Sequence, residues 1–156
     1  MKFIDVPPDL LRACHAEGAR TYPEEACGVL SGPEDGDGLT EFHPMENIIN
    51  QMHAEDPERY PRTAARAYYM DPAEMMRLDK SLKKEGRRIK VIFHSHVDVG
   101  AYFSEEDITR ALWAGEPIWP GVGYLVCNIK NGEGEAAIMA QFDEEKRTFV
   151  SAPVGE

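Results

Sequence analysis

RRIKVIFHSHVDVGAYFSEED, residues 87–107, joins an apolar run to two histidines and then to an acidic helix start. Ile89, Val91, Ile92 and Phe93 form the near-continuous run expected of a buried strand. His94 and His96 close that strand. Side chains two apart on a strand share a face, so both imidazoles point the same way and can hold one ion between them. The chain has five histidines in all, and two of them flank a single serine. SEEDITRALWAG then predicts a helix from Ser104 to about Ala114, with S-x-x-D at its start close to a capping box. This puts Asp107 in the first helical turn, where it can fold back toward the histidines. Zinc accepts neutral imidazole nitrogen and carboxylate oxygen, and a catalytic site keeps three protein ligands and a fourth position for water.

Outward from this stretch the chain reads as alternating helices and strands. MKFIDV predicts a short strand, and a helix starts near Pro7-Pro8-Asp9, because proline suits a first helical turn. Leu10, Leu11, Cys14 and Ala19 form its expected apolar face. Tyr22-Pro23 breaks it. EEACGVLSG predicts a buried strand through Cys27, Val29 and Leu30, ended by Gly32-Pro33, and Cys27 is expected in the core. PEDGDG is an acidic loop. Thr40 to Ile49 predicts a strand, and residues 50–69 show no clean period and are expected to be a long loop of functional kind. Asp71 as N-cap and Pro72 at the first position open a second helix. Met75, Leu78 and Leu82 follow at helical spacing, Met75-Met76 is expected in the core, and Gly86 ends the helix. GYLVCNIK, EAAIMAQF and RTFVSAPV predict three antiparallel strands, the first two joined by an Asn131-Gly132 turn. The pattern is α/β, a mixed central sheet flanked by helices, in one domain spanning 1–156.

Composition narrows the function. A formal net charge of −11 over 156 residues argues against nucleic acid as the partner. Cys14, Cys27 and Cys127 are odd in number and widely spaced, which points to reduced thiols in the cytoplasm. MKFIDVPPDLL lacks the apolar run of a signal peptide, and no stretch approaches a membrane span. His15-Ala16-Glu17 and His53-Ala54-Glu55 match the H-x-E half of a nucleobase-deaminase signature. The P-C-x-x-C half is missing, so both histidines are read as structural. Arg59, Arg62 and Arg66 are read as part of a solvated loop.

H-S-H-x7-S-x2-D resembles the metal motif of the JAMM metallopeptidases, also called MPN+ or JAB/Mov34. The resemblance extends to PEEACGVLSG, where Glu25 takes the position of the family's glutamate and Cys27-Gly28 follow. Asn47 and Tyr69-Met70-Asp71-Pro72 are further landmarks, so the likeness runs from about residue 22 to 130. Many relatives carry proline just after the second histidine and just before the serine, where this chain has Val97 and Phe103. Both changes fall where a substrate tail would lie.

The resemblance implies a JAB/MPN-type domain similar to the cytidine-deaminase-like sandwich. It implies that His94, His96 and Asp107 bind one zinc ion, that Glu25 is the general base, and that Ser104 donates to the oxyanion. It also implies cleavage of an amide or isopeptide bond at the C-terminal Gly-Gly tail of a ubiquitin-like or sulfur-carrier protein. A small prokaryotic member would release an amino acid or short peptide and would have no nucleic-acid or membrane partner. The sequence leaves room for a homodimer. The alternatives are a non-catalytic MPN-type scaffold and a zinc amidohydrolase of small molecules.

Overall fold

The computed structural model describes residues 1–155. In chain order the elements are α1 (Pro8–Thr21), β1 (Cys27–Pro33), β2 (Glu41–Met45), α2 (Ile49–Glu55), α3 (Pro72–Lys83), β3 (Arg87–Val97), α4 (Glu105–Ala111), β4 (Leu112–Trp113), β5 (Glu116–Pro117), β6 (Gly123–Lys130), β7 (Glu133–Asp143) and β8 (Thr148–Pro153). The run Ile89–Val97 is buried throughout, as its sequence requires of a strand covered on both faces. It lies inside a six-stranded sheet of order β2-β1-β3-β6-β7-β8. Only the β3–β6 junction is parallel; the other four are antiparallel. A parallel junction needs a crossover, and α4 with the small β4–β5 hairpin lies on it. The architecture is the mixed α/β sheet expected from the sequence.

Strand alternation divides the core. On one face Cys14 of α1 packs with Leu30, Val91, Phe93, Leu125 and Met139. On the other, Met75 and Leu82 of α3 pack with Cys27, Val29, Ile92 and Tyr124. Residues 92, 94 and 96 share a parity, so His94 and His96 continue the α3 side while Ser95 turns toward α1. In α1 the contact residue is Gly18, since a Cβ there would come within 2.6 Å of Ile129 Cδ1 and 3.2 Å of Ser95 Cβ. Ala19, expected on this face, is exposed because it lies about 100° further round the helix than Gly18. The same rotation splits the methionine pair: Met75 is buried and Met76 is 61% exposed.

Four other expectations change. MKFIDV forms no strand. β7 already has β6 and β8 on its two edges, so this segment attaches by Ile4 N–H donating to the Gln141 side chain at 2.7 Å. β2 ends at Met45, and Asn47 Oδ1 accepts the Ile49 N–H at the start of α2. α2 therefore occupies the first part of the expected 50–69 loop. α4 stops at Ala111, because Ala114 and Gly115 adopt positive φ and turn the chain into the β4–β5 hairpin. The Asn131-Gly132 turn is present, both residues having positive φ as a type I′ hairpin requires. Among the described residues, no helix is long and apolar enough to cross a membrane.

Gly28, the glycine of the PEEACG motif, is required by close strand packing. A Cβ there would lie 2.5 Å from His43 O and 3.0 Å from Pro44 Cα on β2, and backbone atoms cannot swing aside. Gly28→Ala is expected to destabilise the protein by about 1–3 kcal/mol, measured as a lowered urea midpoint with unchanged slope. A wild-type midpoint would refute this account of the motif.

Candidate metal centre

β3 delivers the two histidines to one side, as period two demands. Their ring centroids are 5.0 Å apart. The Ser104–Asp107 capping box delivers the third group: Asp107 N–H donates to Ser104 Oγ, and Ser104 N–H donates to Asp107 Oδ2, each at 3.0 Å. Asp107 Oδ2 also approaches His94 Nε2 at 3.3 Å and His96 Nε2 at 3.6 Å. One ligand atom from each of the three residues falls within 4.8 Å of the other two.

The imidazoles are prepared as ligands. His96 Nδ1 lies 2.9 Å from Gly100 O. A carbonyl only accepts, so this bond places the ring proton on Nδ1 and leaves Nε2 a free lone pair. His94 is fully buried against the Tyr68 ring at 4.3 Å, and neither ring nitrogen has a hydrogen-bond partner among the described residues. The 3.3 Å approach to Asp107 therefore lacks hydrogen-bond geometry. Both atoms belong instead to the cluster of donor atoms that His96 completes. A buried imidazole nitrogen without a partner is costly, and a cation held by that cluster would satisfy it. Burial lowers the His94 pKa below its ordinary value, which keeps the ring neutral. Burial alone would raise the Asp107 carboxyl, yet His94, His96 and the Ser104 N–H together hold it well below the usual range. Two neutral nitrogens and one carboxylate oxygen make a donor set that suits zinc.

Glu25 is positioned from its backbone. Its N–H donates to Ala64 O at 2.7 Å, and its carbonyl accepts from Asn47 Nδ2 at 3.0 Å. Asn47 also donates to Ala67 O, while its Oδ1 accepts the N–H groups of Ile49 and Tyr69. Next along the chain, Ala26 N–H donates to Ser95 Oγ at 2.7 Å and Ala26 O accepts the Ser95 N–H at 3.0 Å. Glu25 is 6% exposed and lines a cavity of about 70 Å³ together with His96, Ser104 and Asp107. Burial, reinforced by Asp107 and Glu106 and opposed by Arg66 and Arg62, pushes its carboxyl up to about 9. Glu24 is exposed and reaches Asn50 at 3.4 Å. A larger cavity, beside Phe3, Leu11 and Val154, lies apart from these residues.

Of the residues expected at the site, Glu25, His96, Ser104 and Asp107 line one cavity, and His94 joins His96 and Asp107 in the donor cluster. His15 and His53 do not join them: His15 packs against Gly134, and His53 Nδ1 is within 2.7 Å of Tyr60 O. Cys27 is buried in the core, as expected, its thiol pushed up to about 12 by burial. Sequence reasoning missed the Tyr68 stack on His94, the Tyr102 ring 4.7 Å from His96, and the presence of Arg62, Arg66 and Arg110 on the cavity wall. The arginines at 62 and 66 were visible as a basic cluster, but no local pattern tied them to the histidines.

Comparison with known proteins extends the picture. Residues 7–144 match the prokaryotic homologs of the JAB domain. A CysO-cysteine peptidase of Mycobacterium tuberculosis is 34% identical over 103 residues, 66% of this chain and 62% of that relative's length. A desampylase of Haloferax volcanii is 29% identical over 124 residues, 80% of this chain and 76% of the relative. A solution structure from Desulfitobacterium hafniense superposes with a TM-score of 0.69 at 21% identity, covering 97% of this chain and 91% of that one.

The raised Glu25 pKa sets a pH test on the chelator-treated protein. Between the ordinary glutamate value and about 9, the unfolded chain has lost this proton and the folded chain keeps it. The folded state binds more protons, so Glu25's contribution is fully present below that window and is lost as pH rises through it. Glu25→Gln removes this dependence. Its unfolding free energy relative to wild type, taken from melting curves, is expected to climb steadily from pH 5 to pH 9, by at most about 1.4 kcal/mol per pH unit. Parallel melting curves across that range would show Glu25 ionised in the folded protein.

Proposed function

The chain belongs to the prokaryotic JAB-domain family, and on that premise we propose that it is a zinc-dependent peptidase acting on the C-terminal tail of a ubiquitin-like or sulfur-carrier protein. The observation that carries this reading is the meeting of the His94, His96 and Asp107 donor atoms within 4.8 Å, beside Glu25 on one cavity wall. The relatives named above as a CysO-cysteine peptidase and a desampylase support the substrate class. Residues 1–156 are taken as one peptidase domain, since a single sheet runs from Cys27 to Pro153. A cytoplasmic setting is inferred from three free, buried cysteines.

Held by His94, His96 and Asp107, a zinc ion would lower the pKa of a bound water toward neutrality and polarise the scissile carbonyl. Every other part of the reaction falls to the chain itself. Glu25 takes the water's proton on a carboxylate oxygen and later hands it to the leaving nitrogen. A nearby positive charge would oppose the burial that raises the Glu25 carboxyl, favouring the ionised base in the loaded site. Ser104 Oγ already accepts the Asp107 N–H, which leaves its own hydroxyl proton free for the developing oxyanion. The exposed Val99 and Tyr102 beside the cavity would border a narrow tail of the Gly-Gly kind.

Two measurements test this. Purified protein should hold about one zinc per chain and hydrolyse a carrier-protein adduct, with activity lost to chelator and restored by zinc. Glu25→Gln should keep the metal while losing roughly 10²- to 10⁴-fold in rate. Zinc-free protein without metal-dependent cleavage would reject the proposal, and a fully active Glu25→Gln would remove the base. Separately, Ser104→Ala should keep zinc and lower kcat about 10²- to 10³-fold, and an unchanged kcat would deny Ser104 its role.

A further inference from the structure

Three arginines line the same small cavity as Glu25, His96, Ser104 and Asp107: Arg62, Arg66 and Arg110, the last with its guanidinium 5.5 Å from the Tyr60 ring centroid. They come from the stretch before α3 and from the last turn of α4. Their charge is only partly met. Arg62 Nε and Arg110 Nε lie 3.3 Å and 3.5 Å from Glu106, so two guanidiniums share one carboxylate. Arg66 spends one nitrogen on Val97 O at 3.3 Å. No carboxylate lies within ion-pair distance of Arg66 among the described residues. Asp107 is turned to the imidazoles. In a chain of net charge −11, the cavity sets three arginines against the three carboxyls of Glu25, Glu106 and Asp107, and the hydrolysis described above uses none of the three arginines.

Guanidinium forks recognise carboxylates, in the best case through two parallel hydrogen bonds. The size and place of the cavity say which carboxylate. A space of about 70 Å³ takes a small anionic group and a few attached atoms, not a folded acidic surface. It is also walled by the residues that would carry the reaction, so the anion sits close to the bond being cut. The α-carboxylate of a single C-terminal residue meets both conditions, because one carbon separates it from the leaving nitrogen. An isopeptide leaving group does not, since a lysine ε-nitrogen carries a four-carbon aliphatic stem in that place.

We propose that Arg66, supported by Arg62 and Arg110, forms a carboxylate subsite that selects adducts in which the carrier tail is extended by one free amino acid. The inference rests on the peptidase reading of this site. In the reaction the water oxygen bonds to the carbonyl carbon of the carrier's last glycine and the C–N bond breaks. The nitrogen departs with the bonding pair and a proton, giving a carrier carboxylate and a free amino acid.

The probe is a ubiquitin-fold carrier ending Gly-Gly-Ala, made with a free C-terminal carboxylate and with a C-terminal carboxamide. The zinc-loaded protein is expected to favour the acid in kcat/KM by about 10- to 100-fold. The ratio should fall toward one in Arg66→Ala and be partly kept in Arg66→Lys. Calorimetric titration of zinc-loaded Glu25→Gln with both probes reads the same preference without turnover. Equal binding of acid and amide, no measurable binding of either, or a preference untouched by Arg66→Ala overturns the subsite and leaves the peptidase reading standing. Faster cleavage of a carrier joined to a lysine ε-nitrogen overturns it too. A binding preference for the acid with no cleavage of either probe keeps the subsite and removes the peptidase reading.

Discussion

Ser95 stands between the two histidines and points to the opposite face of β3. Its hydroxyl accepts the Ala26 N–H at 2.7 Å, and its own N–H donates to Ala26 O at 3.0 Å. This reciprocal pair sets the register between β3 and the chain entering β1, and so decides which glutamate stands beside the imidazoles. Side chains alternate along extended backbone. A slip of one residue would exchange Glu25 for Glu24, which is exposed and bonded to Asn50. The serine is small enough to lie under α1 and polar enough to satisfy a buried N–H. The tight fit at Gly18, where a Cβ would come within 3.2 Å of Ser95 Cβ, belongs to the same arrangement.

Around this register the molecule separates holding from recognising. The histidines sit on a strand buried on both faces, where packing allows little movement. Asp107 is fixed by its capping box with Ser104. Arg62, Arg66 and Tyr68 come from the irregular stretch between α2 and α3, and Arg110 from the last turn of α4. The irregular stretch is tied down by Asn47, whose one amide bonds Glu25 O, Ala67 O and the N–H groups of Ile49 and Tyr69. A change in the 56–71 segment can therefore alter what the cavity accepts while the donor atoms stay in place.

The site is costly to the metal-free fold. His94 is fully buried with neither ring nitrogen hydrogen-bonded among the described residues, and Glu25 is pushed up to about 9 by burial. Such groups oppose folding, as expected where function overrides packing. Cation binding would satisfy His94 Nε2 and lower the Glu25 carboxyl, so its free energy would stabilise the native state as well as enable chemistry. Positive charge at the donor cluster would lower the raised Glu25 carboxyl and so link base strength to metal occupancy.

The sequence by itself determined the elements whose cause is local. The apolar run at 89–93 is a strand, 94 and 96 share its face because the period is two, and Ser104 with Asp107 caps a helix because an N-cap side chain reaches the N–H three residues on. It also marked His94, His96, Ser104 and Asp107 by their spacing, while Glu25 was marked by family resemblance. What only the tertiary structure decided involves partners with no fixed spacing. Tyr68 under His94, the arginines across from Glu25, and the exclusion of MKFIDV from a sheet edge already taken by β6 and β8 all arise this way. Local periodicity reports a residue's own face, whereas these depend on which distant segment packs against it, and that choice is made by the whole core at once.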